Sequence, residues 1–255
     1  MDYNKKTKIK FHTLLFFYIF IILSFLFGSV AIYIYISSEW KYIIILLNLI
    51  VLVYLSYEFK KRIYSLIHRI YIKKIKDDVI DPVELNSKIS NQDLERAIVK
   101  NEYIEYFSNS KIKLFIKIKK DEKIRKVFKH YILYVAIIIL NPKLDYYQRK
   151  ADEIINDIQY KSQTKDKKRI DRILITQYKK INQFNDEERK SINEIIFIKT
   201  DKHLVSTINV GILDSPQIAL MLVAKKYRPS LYYNLHIEDI GQVLKNQSKL
   251  FKRLW

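Results

Sequence analysis

Two unbroken apolar runs open the chain. Residues 11–36 hold no Asp, Glu, Lys or Arg, and residues 40–59 carry charge only near their ends, at Lys41 and Glu58. As helices rising about 1.5 Å per residue, each is long enough to cross a hydrocarbon layer about 30 Å thick, the first with residues to spare. The segment Ser37-Ser38-Glu39-Trp40-Lys41 turns the chain between them, so the pattern predicts a transmembrane hairpin within residues 1–59. Trp40 and Tyr42 at one end of the second run, and Tyr54 and Tyr57 at the other, match interfacial aromatic belts. The first run is too long for the apolar core of a cleaved signal peptide, and a second span follows at once.

Beyond the hairpin the pattern changes. Ile63, Leu66, Ile67, Ile70 and Tyr71 recur at helical spacing, predicting a basic juxtamembrane helix and linker over residues 60–80. Asp81, Pro82 and Glu84 supply the signals of a helix start, and Ser90 with Asp93 supplies a capping box for a helix running towards Phe107. Residues 111–120 alternate strictly, as a strand with one buried face does. Residues 131–140, the most apolar stretch after the hairpin, read as a central strand ended by Asn141-Pro142. A helix is expected from Leu144 to about Tyr160, a loop over 161–169, and a second helix carrying Ile170, Ile173, Leu174, Tyr178 and Ile181. After a polar break at 185–188 come two strands, 194–199 and 203–213, with Gly211 marking a bulge or a close backbone contact. Ser215-Pro216 predicts a helix to Ala224, residues 231–236 a strand, and residues 238–255 a basic helical tail. Residues 81–255 thus read as a mixed α+β (or α/β) domain of about four to five strands.

Composition bears on partners. The net charge is +19, nearly all of it after residue 59, and cysteine is absent, which removes disulfides and thiolate chemistry. The excess of cations favours anionic partners. Abundant Lys, Ile, Tyr and Asn beside scarce Gly, Pro and Trp is also what an AT-rich genome writes, so charge alone does not choose among them. Lys5, Lys6, Lys8 and Lys10 precede the first run, Lys60, Lys61, Arg62 and Arg69 follow the second, and the turn between holds only Lys41. That asymmetry predicts two spans in the cytoplasmic membrane with both termini cytoplasmic.

Three groups of residues are candidates for function. Folding the hairpin about position 38 or 39 brings Ser29 opposite Asn48, beside Gly28, as a packing contact within the bilayer. Lys60, Lys61, Arg62, Arg69, Lys73 and Lys76 line up to meet anionic lipid head groups. Lys113, Phe115, Lys117 and Lys119 share one face of their strand and combine cations with an aromatic ring, the ingredients of a polyanion platform; a solvated lysine face on an edge strand is the structural alternative. Catalytic chemistry has only the constellation His236, Glu238 and Asp239, read at a strand end and joined by Asp201 and His203 across the sheet. Gly28, Gly211 and Gly241 form no phosphate loop, and His12, His68, His130, His203 and His236 show no helical metal spacing. No cofactor is expected.

In layout alone, a two-helix anchor followed by a cytoplasmic domain resembles two-span membrane effectors of bacterial phage defence and small accessory membrane subunits of secretion or conjugation machines. The reading is a membrane-anchored, non-enzymatic interaction or scaffold protein that pairs with a protein partner or with itself. A membrane effector with a cytoplasmic sensing domain and a membrane-tethered nucleic-acid binder are its rivals.

Overall fold

The computed structural model describes residues 3–122, 130–165, 168–194, 196–199 and 204–244. It divides into two compact units, Met1–Lys73 and Lys74–Trp255.

The first unit is a helical hairpin. Helix α1 (Tyr3–Tyr35) and helix α2 (Trp40–Asp77) run antiparallel, and the division between the units falls in the last turns of α2. Tyr18 stacks on Phe59 with ring centroids 4.4 Å apart, and the Asn48 amide donates to Ser29 Oγ at 3.3 Å. Apolar side chains such as Phe16, Phe20, Phe27, Leu47 and Val53 point outward, each more than half exposed. A helix that is apolar on every side needs an apolar surrounding. Both helices are long and apolar enough to cross a membrane. The helix expected over 60–76 is the unbroken continuation of α2.

The second unit is built on one mixed sheet. In chain order it comprises β1 (Val83–Glu84), α3 (Asn91–Lys100), β2 (Ile104–Ser108), β3 (Ile112–Lys120), β4 (His130–Ile139), α4 (Arg149–Thr164), β5 (Arg169–Ile181), α5 (Asp186–Ile192), β6 (Ile196–Lys199), β7 (Leu204–Asp214), β8 (Gln217–Met221) and α6 (Leu231–Leu244). Seven strands lie in the order β1-β8-β7-β5-β4-β3-β2, and β6 pairs with β7 beside β8. The central pairs β4–β5 and β5–β7 are parallel; the rest are antiparallel. Along β7, β6 takes residues 204–207 and β8 takes residues 210–214.

Alternation on the strands makes two cores. Leu114, Leu133, Val135 and Ile173 pack with Ile154, Ile155 and Ile158 of α4 and Ile192 of α5. The opposite face lies under α3 and α6, which bury Leu94, Ile98, Tyr233, Ile237 and Ile240. The start and finish of the unit are stitched together. Ile80 N donates to Val223 O at 2.8 Å, Leu85 N to Gln217 O at 2.9 Å, and Lys225 N to Asp78 O at 2.6 Å. The Asp78 carboxylate accepts from the backbone of Lys226 and Tyr227, at 2.7 and 2.9 Å; these bonds hold its pKa below the usual carboxylate range.

Several expected elements differ. The sheet has more strands than the four or five predicted. Residues 170–181 are strand β5, not a helix: the strand is covered on both faces, so its apolar residues lose the period of two. Asp81 and Pro82 lead into β1 instead of a helix, and Asp81 pairs with Lys225 at 3.0 Å. The Ser90–Asp93 capping box is present, but α3 ends at Lys100 and β2 follows. Helix α4 begins at Arg149 rather than Leu144 and runs through part of the expected loop. Asn185, in the expected polar break, caps α5, its side chain accepting from Glu188 N at 2.8 Å. Ser215-Pro216 turns the antiparallel hairpin between β7 and β8, and residues 231–236 open α6, with Tyr233 N bonded to Ser230 Oγ at 3.1 Å. Gly211 makes the close contact but no bulge: a Cβ there would stand 2.5 Å from Ile192 Cδ1. Of the expected tail, residues 245–255 lie outside the described residues.

Candidate functional site

Helix α6 brings His236 and Asp239 to the sheet, but to different partners. His236 is fully buried, with Nε2 3.0 Å from Thr176 Oγ1 on β5 and Nδ1 3.0 Å from Ser206 Oγ on β7. One ring nitrogen donates and the other accepts, which suits a neutral imidazole. Burial pushes its pKa down to about 3. Asp239, 5% exposed, accepts from the Tyr103 hydroxyl and is ion-paired with Lys117 of β3. Glu238 lies between them in sequence and is only partly buried. Asp201 and His203, expected beside this group, lie outside the described residues.

Lys117 corrects the expected polyanion face. Its ammonium lies 4.3 Å from the Tyr103 ring centroid and 4.8 Å from that of Tyr134, and it donates to Asn101 O at 3.3 Å. Phe115 is 1% exposed on the same side of β3. Only the flanking lysines reach the surface, and both are paired: Lys113 with Glu95 at 2.8 Å and Lys119 with Glu102 at 2.7 Å. Helices α3 and α6 cover the centre of this face, so it offers no open platform. Burial, and secondly the Asp239 charge, raise the Tyr103 hydroxyl well above its ordinary value, keeping it a donor.

A second buried lysine sits across the sheet. Lys179 of β5 binds Glu188 of α5 at 2.8 Å and Leu144 O at 3.3 Å, 4.7 Å from the Tyr146 ring centroid. Nearby, Gln177 donates to Asn209 at 3.0 Å, and Asn209 donates to Ser191 O at 2.8 Å. At the far end of β4, His130 Nδ1 lies 2.7 Å from Asp171 Oδ2, and Arg169 Nε lies 3.1 Å from Oδ1 of the same carboxylate. Apart from Arg169 and Asp171, which are neighbours on β5, each of these polar side chains lies in a strand or helix that also carries core residues and meets a partner outside its own element. Sequence spacing holds no signal for such pairs.

A concave feature of the second unit is a pocket of about 510 Å³ at the sheet edge. Lys76, Val79, Ile80, Pro82, Phe184, Arg189, Ile192, Asn193 and residues 220–222 line it. Its walls are mostly apolar; the Lys76 and Arg189 side chains bring two cations, and Phe184 is half exposed. Of these residues only Lys76 was marked by the sequence as a site residue, because the lining comes from three separate stretches, 76–82, 184–193 and 220–222. Among the described residues no cluster of His, Asp and Glu could hold a metal ion.

Comparison with protein-family models, curated proteins and solved structures finds no match. The chain's own geometry therefore carries the functional reading.

In the first unit, Gly28 lies beside the Ser29–Asn48 contact, a Cβ on it standing 3.9 Å from Asn48 Nδ2. Lys60, Lys61, Arg62, Arg69 and Lys73 lie along the part of α2 that belongs to this unit, while Lys76 belongs to the second.

Proposed function

We propose that the protein is a membrane-anchored, non-enzymatic interaction protein whose second unit docks a protein partner at the cytoplasmic face. The outward-facing apolar side chains on α1 and α2 support the anchor, and the flanking lysines and arginines favour cytoplasmic termini. The observation that carries docking is the edge pocket, an apolar hollow with Lys76 and Arg189 at hand and Phe184 beside them. Such a surface suits an apolar anchor residue flanked by a carboxylate. The buried His236, Lys117 and Lys179 are engaged with neighbours and act as parts of the core. An accessory subunit of a bacterial membrane machine has this design.

The test is site-specific photo-crosslinking of the intact protein in native membranes. A crosslinker replacing Phe184 should trap one dominant protein, and Arg189→Glu should reduce that product several-fold; a crosslinker replacing the exposed Tyr147 should not trap it. No defined product at position 184 would refute the docking reading. Toxic over-expression with membrane depolarisation would favour the effector instead, and affinity for nucleic acid that falls steeply with salt would favour the tethered binder.

A further inference from the structure

The two helices of the first unit are unequal, and the mismatch builds a site. Tyr18 stacks on Phe59, so the level at which the apolar run of α2 ends is the level of Tyr18 on α1. Seven residues of α1's apolar run, 11–17, extend past that level by about 10 Å. They run alongside the basic stretch of α2 that begins at Lys60. Between the two helices lies a groove of about 560 Å³, lined by Ile9, Thr13, Leu14 and Phe17 from α1 and by Arg62, Ser65, Leu66 and Arg69 from α2. Arg62 and Arg69 stand two helical turns apart, and neither is ion-paired or hydrogen-bonded among the described residues.

We infer that this groove holds one anionic phospholipid of the bilayer. The inference rests on the membrane reading above and goes beyond a diffuse attraction of head groups to basic residues. Guanidinium groups match a phosphodiester with paired hydrogen bonds, which an ammonium cannot do. Leu14, Phe17 and Leu66 offer an apolar wall to the start of an acyl chain, and the Thr13 and Ser65 hydroxyls can bond the head group or its ester oxygens. Lys60 and Lys61 do not line the groove, so they attract the membrane surface without belonging to the site.

Native mass spectrometry of the intact protein, released from nanodiscs of mixed phosphatidylglycerol and phosphatidylcholine, tests this. Wild type should retain one phosphatidylglycerol. Arg62→Gln with Arg69→Gln should weaken its binding about thirtyfold, on the order expected for two lost cation contacts. Lys60→Gln with Lys61→Gln removes the same charge and should leave occupancy unchanged. Equal loss in both pairs, equal retention in both, or equal retention of phosphatidylcholine would overturn the site. Should the glutamine pair fail to fold by circular dichroism, Arg62→Lys with Arg69→Lys keeps the charge and should still lower occupancy; unchanged occupancy there refutes paired recognition. Alkaline carbonate extraction separates the two levels. A protein that stays in the pellet without bound lipid loses only the groove, whereas release into the supernatant removes the anchor and the groove together.

Discussion

Lys117 and Asp239 are 6% and 5% exposed, and they come from elements 122 residues apart. Burying both charges is costly, and their pairing with Tyr103, Tyr134 and Asn101 offsets that cost. Truncating one partner strands the other. Lys117→Ala should therefore destabilise the second unit by about 3–5 kcal/mol, while Lys117→Met with Asp239→Leu should recover most of the loss. Urea midpoints of the full-length protein in detergent, followed by the sheet signal in circular dichroism, measure both. His236 makes stability depend on pH. Its folded pKa is about 3, whereas in the unfolded chain it is about 6.5. Between these values the unfolded state binds a proton that the folded state does not. The contribution of neutral His236 is therefore complete above about pH 6.5 and is lost as pH falls towards 3, by up to about 1.4 kcal/mol per unit. His236→Gln should flatten the urea midpoint between about pH 6.5 and 4.5 relative to wild type; parallel pH profiles would show that the imidazole is not the cause.

At the scale of elements, the hairpin tests whether a polar contact holds two apolar helices together. Asn48→Leu should leave insertion intact and weaken helix pairing by roughly 0.6–2 kcal/mol. The chain has no cysteine of its own, so disulfide formation between cysteines placed at positions 18 and 59 reports the pairing, and an unchanged yield would count against the contact. Antiparallel folding about position 38 was readable because two uniform helices joined by a short turn admit one register. Strands β3 and β4 were also readable, one by alternation and one as a continuous apolar run. Strand β5 was not. It places Thr176 against His236, Gln177 against Asn209 and Lys179 against Glu188, and these polar residues break the apolar run into what resembles a helical period. Helix α6 was hidden by the alternation Leu231, Tyr233, Leu235, Ile237. Only the longer window 233, 236, 237, 240, 244 reveals its buried stripe. The edge pocket was illegible because its walls come from segments that only the sheet order brings together.

For the whole molecule, the informative feature is the stitch between residues 78–85 and 217–227. Its partners, Asp81 and Lys225 for instance, lie 144 residues apart. At roughly 5–20 residues per second, a ribosome needs on the order of ten seconds to travel between them. Helices α1 and α2 precede the sheet in the chain, so they leave the ribosome before β7 or β8 has been made. The sheet can then close only when the chain is nearly finished. Throughout that interval β1 has no neighbour, and from the completion of β5 until β7 follows, β5 presents an unpaired edge. Tethering these unfinished chains singly to a surface limits how freely such edges meet one another. A membrane-held hairpin that precedes the sheet in the chain would thus serve the folding of the sheet as well as its placement.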